Sequence, residues 1–264
     1  MNLKKKHGQG RRWNRILTLV FLAVFLFSLY KIVGILWEYR QIDNFYEETD
    51  RNFVQIPRQN EENNSETLLP KVDFEALKKV NEDVIGWIYI EDTNISFPIL
   101  QGKTNAQYLF QSYKKEYLIA GSIFIDYRCG SDFNDKNTVI YGHNMHNGSM
   151  FGSLKKYKNG EYKNEHPYIY ILMPDNTCNK YEVIAFYQAA VDGSVYRLPL
   201  GADCEEKDFD NLAETIRSTN QYSDIKKMEY EDRFITLSTC TQDSREDIRV
   251  AITAKLVETG KQRG

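Results

Sequence analysis

The stretch FITLSTC at residues 234–240 is rich in β-branched and apolar residues and ends on a cysteine, Cys240. This composition is typical of a buried β-strand. Seven further short runs of the same kind occur along the chain, separated by turn signals. The eight predicted strands cover residues 85–90, 95–100, 122–126, 138–141, 168–173, 181–189, 234–239 and 248–257. Eight strands of this length suit a closed barrel or a sandwich, so the sequence predicts a mainly β fold.

Helical periodicity is confined to a few segments around these strands. Residues 38–56 have apolar side chains at near-helical spacing, and a short helix is predicted after Asp73, a residue type that caps helix N-termini. Two further helices are predicted at residues 106–111 and 208–218. Residues 57–70 are polar and lack periodicity, which is typical of a linker or long loop.

The N-terminal region has the pattern of a membrane anchor. Its first fifteen residues include six Lys or Arg and no acidic residue, and residues 16–37 then form an apolar stretch of about the length that crosses a bilayer as one helix. No small-residue cleavage site follows, which favours an uncleaved anchor over a cleaved signal peptide. The basic flank predicts a cytoplasmic N-terminus, a single pass through the lipid of the cell membrane, and an extracytoplasmic position for everything after Trp37.

Composition narrows the class of protein. A chain of 264 residues with 42% hydrophobic residues can form one domain or two small ones, and a formal net charge of -3 argues against nucleic acid as the partner. The four cysteines contain no C-x-x-C pair, and a domain of this size needs no disulfide to fold. They are Cys129, Cys178, Cys204 and Cys240.

Cys240 has a context that suits a nucleophile. It lies where an apolar strand ends and a polar loop, residues 241–247, begins, so the strand would fix the backbone while the loop leaves the sulfur accessible. The alternative is a buried core cysteine, which is the commonest state of an unpaired cysteine.

His143 is the candidate partner of the thiol, because an imidazole stabilises a thiolate and can protonate a leaving amine. It also follows a predicted strand, directly after Gly142. His143 and His146 could instead ligate a metal ion, but no third ligand stands at a recognisable spacing, so no metal is predicted.

Arg249 opens the last predicted strand, nine positions after Cys240, so a hairpin-like return could bring its guanidinium beside the sulfur. There it could stabilise an oxyanion or bind a substrate carbonyl. The alternatives are a surface arginine on an edge strand, or that Arg245 in the preceding loop fills this role instead.

Taken together, these residues resemble the sortases, and within that family class B. The resemblance covers nearly all of residues 72–257, and the helices before the strands and at residues 208–218 look like class B additions. The matching motifs are NEDVIGWI at residues 81–88, FPILQ at 97–101, GSIFID at 121–126, YGH at 141–143, TLSTC at 236–240, and Arg249 ahead of an apolar strand.

The resemblance implies an eight-stranded sortase-type β-barrel that cuts a C-terminal sorting signal of secreted proteins of a Gram-positive bacterium after threonine. Cys240 would form a thioester with the threonine, His143 would protonate the departing amine and deprotonate the amine of an incoming cell-wall peptide, and Arg249 would stabilise the oxyanion. No metal or organic cofactor is implied. The resemblance and the flanking positions also suggest substrate contacts: Ser238, Thr239, Tyr141 and Asn105.

The predicted organisation is a basic tail at 1–15, the anchor at 16–37, a helix and linker at 38–71, the catalytic domain at 72–257 and a tail at 258–264. Two other functions remain open from the residues. One is a cysteine protease or amidase that transfers its acyl group to water, although the papain-like order of Cys before His is reversed here. The other is a membrane-anchored binding module in which Cys240 is merely buried.

Overall fold

The structure is a computed structural model that describes residues 7–55, 69–190, 193–197, 201–240 and 248–262. The chain divides into two compact units, Met1–Phe45 and Tyr46–Gly264. Most of the predicted linker at 57–70 lies outside the described residues.

The described residues of the first unit belong to helix α1, which covers His7–Phe53. Its apolar side chains from Ile16 to Trp37 are largely exposed. Within the part of the chain that the structure describes, this is the one helix whose length and composition make it a candidate membrane span. The predicted anchor at residues 16–37 falls inside it.

The second unit contains a closed barrel of eight strands, which confirms the predicted fold class. A short two-stranded sheet precedes it, formed by β1 (Val54–Gln55) and β2 (Lys71–Val72). The barrel strands are β3 (Val84–Tyr89), β4 (Ser96–Gln101), β5 (Ile123–Ile125), β6 (Asn137–His143), β7 (Tyr168–Leu172), β8 (Thr177–Ala190), β9 (Phe234–Cys240) and β10 (Ile248–Lys261).

The strands follow the order β10-β8-β7-β3-β4-β5-β6-β9 around the barrel and close between β9 and β10. Two pairs are parallel, β4 with β5 and β6 with β9, and the others are antiparallel. All eight predicted runs are strands. The last one continues to Lys261, beyond the predicted domain end at 257.

Helical segments lie between the strands along the chain. Helix α2 (Phe74–Val80) begins where predicted, and the Asp73 carboxylate accepts a hydrogen bond from the Ala76 N–H at 2.9 Å. Three short helical segments follow: a 3₁₀ helix (Phe151–Lys158), α3 (Gly160–Glu165) and α4 (Ser194–Arg197). Helix α5 (Glu206–Thr219) confirms the helix predicted at 208–218, and its apolar face is buried.

The prediction of a helix at residues 106–111 is wrong, because this segment is a series of turns. Tertiary hydrogen bonds hold it in that form: the Tyr108 hydroxyl donates to Asp83 at 2.5 Å, and the Asn105 amide donates to Asp126 at 2.9 Å. The 3₁₀ helix, α3, α4 and the β1–β2 pair carry no clear periodic signal and were not predicted.

Gly142 lies in β6 at a point that leaves no room for a side chain. A Cβ atom there would lie 2.5 Å from Ile123 Cδ1 and 2.6 Å from Phe151 Cγ. The aromatic ring is fixed in the core, so the sheet itself would have to shift.

We therefore expect Gly142→Ala to destabilise the protein by about 1–3 kcal/mol through overpacking. This corresponds to roughly 2–4 °C of melting temperature per kcal/mol for a domain of this size. Gly160→Ala is the matched control, because a Cβ at Gly160 meets no atom within 4 Å. Thermal unfolding followed by circular dichroism measures both, and an unchanged melting temperature for Gly142→Ala would contradict this packing.

Candidate active site

Backbone pairing brings the three predicted catalytic residues to one end of three neighbouring strands. Strands β6 and β9 pair in parallel with His143 directly beside Cys240. On the other side of β9, Ala251 of β10 pairs with Ser238. Continued by two residues, this antiparallel register would place Arg249 opposite Cys240. Adjacent strands lie about 4.8 Å apart, so all three residues occupy one small region.

Alternation along the strands then assigns these positions to faces. Because side chains alternate, Ser238 is on the same face of β9 as position 240, and Thr239 is on the opposite face. The Ser238 hydroxyl lies 2.8 Å from the Tyr196 hydroxyl, whereas the Thr239 hydroxyl accepts a hydrogen bond from the Val250 N–H at 3.0 Å. Ser238 and Thr239, both predicted as substrate contacts, thus have different partners on opposite faces of β9. Both side chains are fully buried.

His143 is 3% exposed and is held by the turn segment that precedes β5. Its Nε2 atom is hydrogen-bonded to the Leu109 carbonyl, and the Phe110 ring lies 5.5 Å away, centroid to centroid. A carbonyl oxygen only accepts, so Nε2 carries a proton and Nδ1 holds the lone pair of the neutral ring. Among the described residues Nδ1 has no hydrogen-bond partner.

Burial lowers the pKa of His143 below its ordinary value of 6.5, and the Leu109 carbonyl offsets part of this effect. The charged imidazolium loses its hydration in the buried position, while the carbonyl stabilises it. The ring is consequently neutral at pH 7, with Nδ1 able to take up a proton.

The Arg249 guanidinium lies near two aromatic rings, its Cζ 5.9 Å from the Tyr141 ring centroid and 5.7 Å from that of Tyr196. Cation–π attraction at these distances restricts the side chain. Its Nε is buried and has no hydrogen-bond partner among the described residues. This arrangement leaves a directed donor beside the end of β9.

A cleft of about 400 Å³ opens next to this cluster. Three of the predicted residues line it, and it combines aromatic surface with two guanidinium groups and one amide. We call it the Tyr141 cleft; its lining residues are Asn105, Ala106, Leu109, Phe124, Arg128, Tyr141, Tyr196 and Arg249.

Sequence reasoning missed Asp126, Arg128 and Tyr196. The Asp126 carboxylate is 1% exposed and accepts hydrogen bonds from the Arg128 guanidinium at 2.8 and 2.9 Å. Burial alone would raise the pKa of Asp126, but the hydrogen bonds and charge of Arg128 outweigh it and hold this pKa below its ordinary value. A carboxylate and a guanidinium two positions apart after a strand were the available signal, whereas nothing in the sequence marks Tyr196.

The remaining candidates from the sequence are Arg245, His146 and the other cysteines. Arg245 lies outside the described residues. His146 is exposed, and no group of three or more His, Cys, Asp or Glu within the described ranges could hold a metal ion. The described cysteines, Cys129, Cys178 and Cys204, are unpaired and differ in burial.

Comparison with known proteins identifies relatives of this chain. The sortase domain family matches residues 88–257. Sortase B of Listeria monocytogenes is 37% identical over 91% of this chain and 95% of its own length, and sortase B of Staphylococcus aureus is 30% identical over 94% and 98%. The crystal structure of sortase B from B. anthracis superposes with a TM-score of 0.68 at 31% identity, covering 84% of this chain and 99% of the other.

The cysteines give a first test of the site. Burial raises the pKa of Cys129 to about 12 and that of Cys178 to about 11, and it also raises the pKa of Cys204. Since each unit above the ambient pH lowers the thiolate fraction tenfold, we expect iodoacetamide at pH 7.5 to modify Cys240 at least about ten times faster than Cys129 and Cys178, and also faster than Cys204. Peptide mapping by mass spectrometry measures this, with Cys240→Ser as control; equal rates at all four would contradict it.

The buried imidazole gives a second test. Because the pKa of His143 is lower in the folded than in the unfolded state, its contribution to stability is complete above pH 6.5 and decreases as the pH falls toward the folded pKa. We expect the difference in unfolding free energy between wild type and His143→Gln to change in favour of the variant between pH 8 and pH 5. Denaturant unfolding at each pH measures it, and a difference independent of pH would show that His143 is not desolvated.

Proposed function

The chain belongs to the sortase family as a class B cysteine transpeptidase, and on this premise we propose that Cys240 is its nucleophile, His143 its general acid and base, and Arg249 its oxyanion-stabilising group. The observation that carries this proposal is the parallel register that pairs His143 with Cys240. The register of β10, continued by two residues, adds Arg249 to the same group.

In the proposed first step, His143 Nδ1 takes the proton of the Cys240 thiol as the sulfur attacks the carbonyl carbon of a substrate threonine. The tetrahedral intermediate collapses when the C–N bond breaks, and the imidazolium gives its proton to the departing amine. A thioester between Cys240 and the threonine remains. The Leu109 carbonyl supports this role, because it keeps the proton on Nε2 and stabilises the imidazolium that forms.

In the second step an incoming amine attacks the thioester, His143 accepts a proton from it, and the Cys240 sulfur leaves as the acceptor amide forms. The thiolate then recovers a proton from the imidazolium, which restores the neutral pair. Arg249 would donate hydrogen bonds to the oxyanion in both steps. Its position near Tyr141 and Tyr196 supports this, since it limits how far the guanidinium can move.

We further propose that the donor is a secreted protein cut after threonine in a C-terminal sorting signal, and that the acceptor is a cell-wall peptide amine. The Tyr141 cleft would hold the peptide, with Asn105 and Tyr141 as contacts. Ser238 acts there through its hydroxyl contact with Tyr196. Thr239, on the opposite face of β9, is the weakest of the predicted contacts.

The enzyme is proposed to act outside the cell membrane. Helix α1 contains the apolar stretch, and the basic residues before it favour a cytoplasmic N-terminus. A single membrane pass would then hold the barrel near the wall on the outer side.

We expect the full chain in detergent to join a threonine-containing peptide to triglycine. The donors would be a hexapeptide library with one fixed central threonine, and mass spectrometry would identify the products. Cys240→Ala should abolish product, His143→Gln should lower the rate by about 10² or more, and Arg249→Gln should lower it by about 10²–10³.

Two controls sharpen this experiment. Cys204→Ala should retain the wild-type rate, and Arg245→Gln should be far more active than Arg249→Gln if Arg249 is the oxyanion group. Product formation with and without triglycine separates transfer to an amine from transfer to water. Product from Cys240→Ala would refute the nucleophile, and hydrolysis unaffected by triglycine would identify a protease.

A further inference from the structure

We propose that Asp126 is a positioning residue that holds the two walls of the Tyr141 cleft in the form that binds the donor peptide. This inference rests on the proposed function, since it concerns the same cleft. Asp126 itself is buried, so it acts through the residues that it binds.

The carboxylate of Asp126 is the point where three lining residues meet. Its Oδ2 accepts hydrogen bonds from Asn105 Nδ2 at 2.9 Å and from the Tyr141 hydroxyl at 3.1 Å. The Arg128 guanidinium adds Nε to Oδ1 at 2.8 Å and an Nη to Oδ2 at 2.9 Å, a charge-assisted pair with fixed geometry. One anion thereby orients an amide, a phenol and a guanidinium.

The first wall of the cleft depends on Asn105. Its side-chain oxygen also accepts a hydrogen bond from the Tyr127 N–H at 3.0 Å. Both the nitrogen and the oxygen of the Asn105 amide therefore have a hydrogen-bond partner. The segment that carries Asn105 continues to Leu109, whose carbonyl binds His143. Asp126 therefore holds the first wall through Asn105.

The second wall depends on Arg128. Its guanidinium donates to the Tyr196 carbonyl at 3.0 Å, and the Tyr196 hydroxyl lies 2.8 Å from Ser238 on the nucleophile strand. The ion pair with Asp126 fixes the guanidinium that makes this contact. Loss of the anion would release Arg128 and with it the contact that holds the Tyr196 segment.

Charge gives a second reason for this role. Arg128 and Arg249 both line the cleft, and Asp126 supplies the negative charge that Arg128 contacts. A neutral residue in place of Asp126 would leave the Arg128 guanidinium without this anion beside Arg249. The cleft would then have both a different shape and a stronger positive potential.

The test is Asp126→Asn in the full chain in detergent, assayed with the best hexapeptide from the fixed-threonine library and saturating triglycine. We expect the KM for the hexapeptide to rise about tenfold or more, because hydrogen bonds to charged groups are lost, while kcat changes by less than about threefold. The iodoacetamide rate of Cys240 should stay at the wild-type value. A purely structural defect would instead lower kcat and the folded fraction together.

Asp132→Asn is the matched control. Asp132 also accepts hydrogen bonds from a neighbour, Asn134, but this pair is exposed. The KM of Asp132→Asn for the hexapeptide should equal that of the wild type. Arg128→Gln in the Asp126→Asn background should add little to the rise in KM, because the guanidinium is already released.

Each result decides a different claim. If Asp126→Asn fails to fold, the single variants Asn105→Ala and Arg128→Gln replace it, and each should raise the KM with little change in kcat. Product from the wild type together with an unchanged KM in these variants would overturn the positioning role alone. No product from the wild type would overturn the proposed function and this inference with it.

Discussion

The parallel pairing of β6 with β9 is the constraint on which the rest of the site depends. It sets His143 beside Cys240, although the two residues are far apart in the sequence. Strand pairing fixes the spacing of the two backbones at about 4.8 Å, which a pair of loops could not do. Gly142 allows this arrangement, because Phe151 and Ile123 pack against the face of β6 opposite to His143, where a Cβ atom at position 142 would not fit.

Burial determines the protonation state of His143. His143 is almost completely excluded from water, which keeps the imidazole neutral, and the Leu109 carbonyl decides which nitrogen carries the proton. A neutral imidazole is the stable form in a low-dielectric site. Under the proposed mechanism the charged pair would form only as the proton moves to His143, and the Leu109 carbonyl would take the orienting role that a carboxylate has in other triads.

The cleft has a different organisation from the catalytic group. Its lining residues come from separated segments, including the turns before β5, the loop after β5, and α4. Such segments have no regular hydrogen-bond ladder to fix them. A single buried carboxylate at Asp126 supplies the common partner instead, and its ionised form is stable because Arg128 compensates for the loss of hydration.

The sequence alone determined the eight strands, the helix predicted at 208–218, the cap at Asp73 and the apolar N-terminal stretch, because alternation, periodicity and hydropathy are local properties of the chain. It also named Cys240, His143 and Arg249 as candidates, from strand ends and the chemistry that each side chain offers. Only the tertiary structure decided that the backbone positions of His143 and Cys240 adjoin, that Ser238 contacts Tyr196 whereas Thr239 contacts the backbone of β10, and that residues 106–111 form turns. Those features, and the convergence on Asp126, depend on contacts between segments distant in sequence, which no local pattern records.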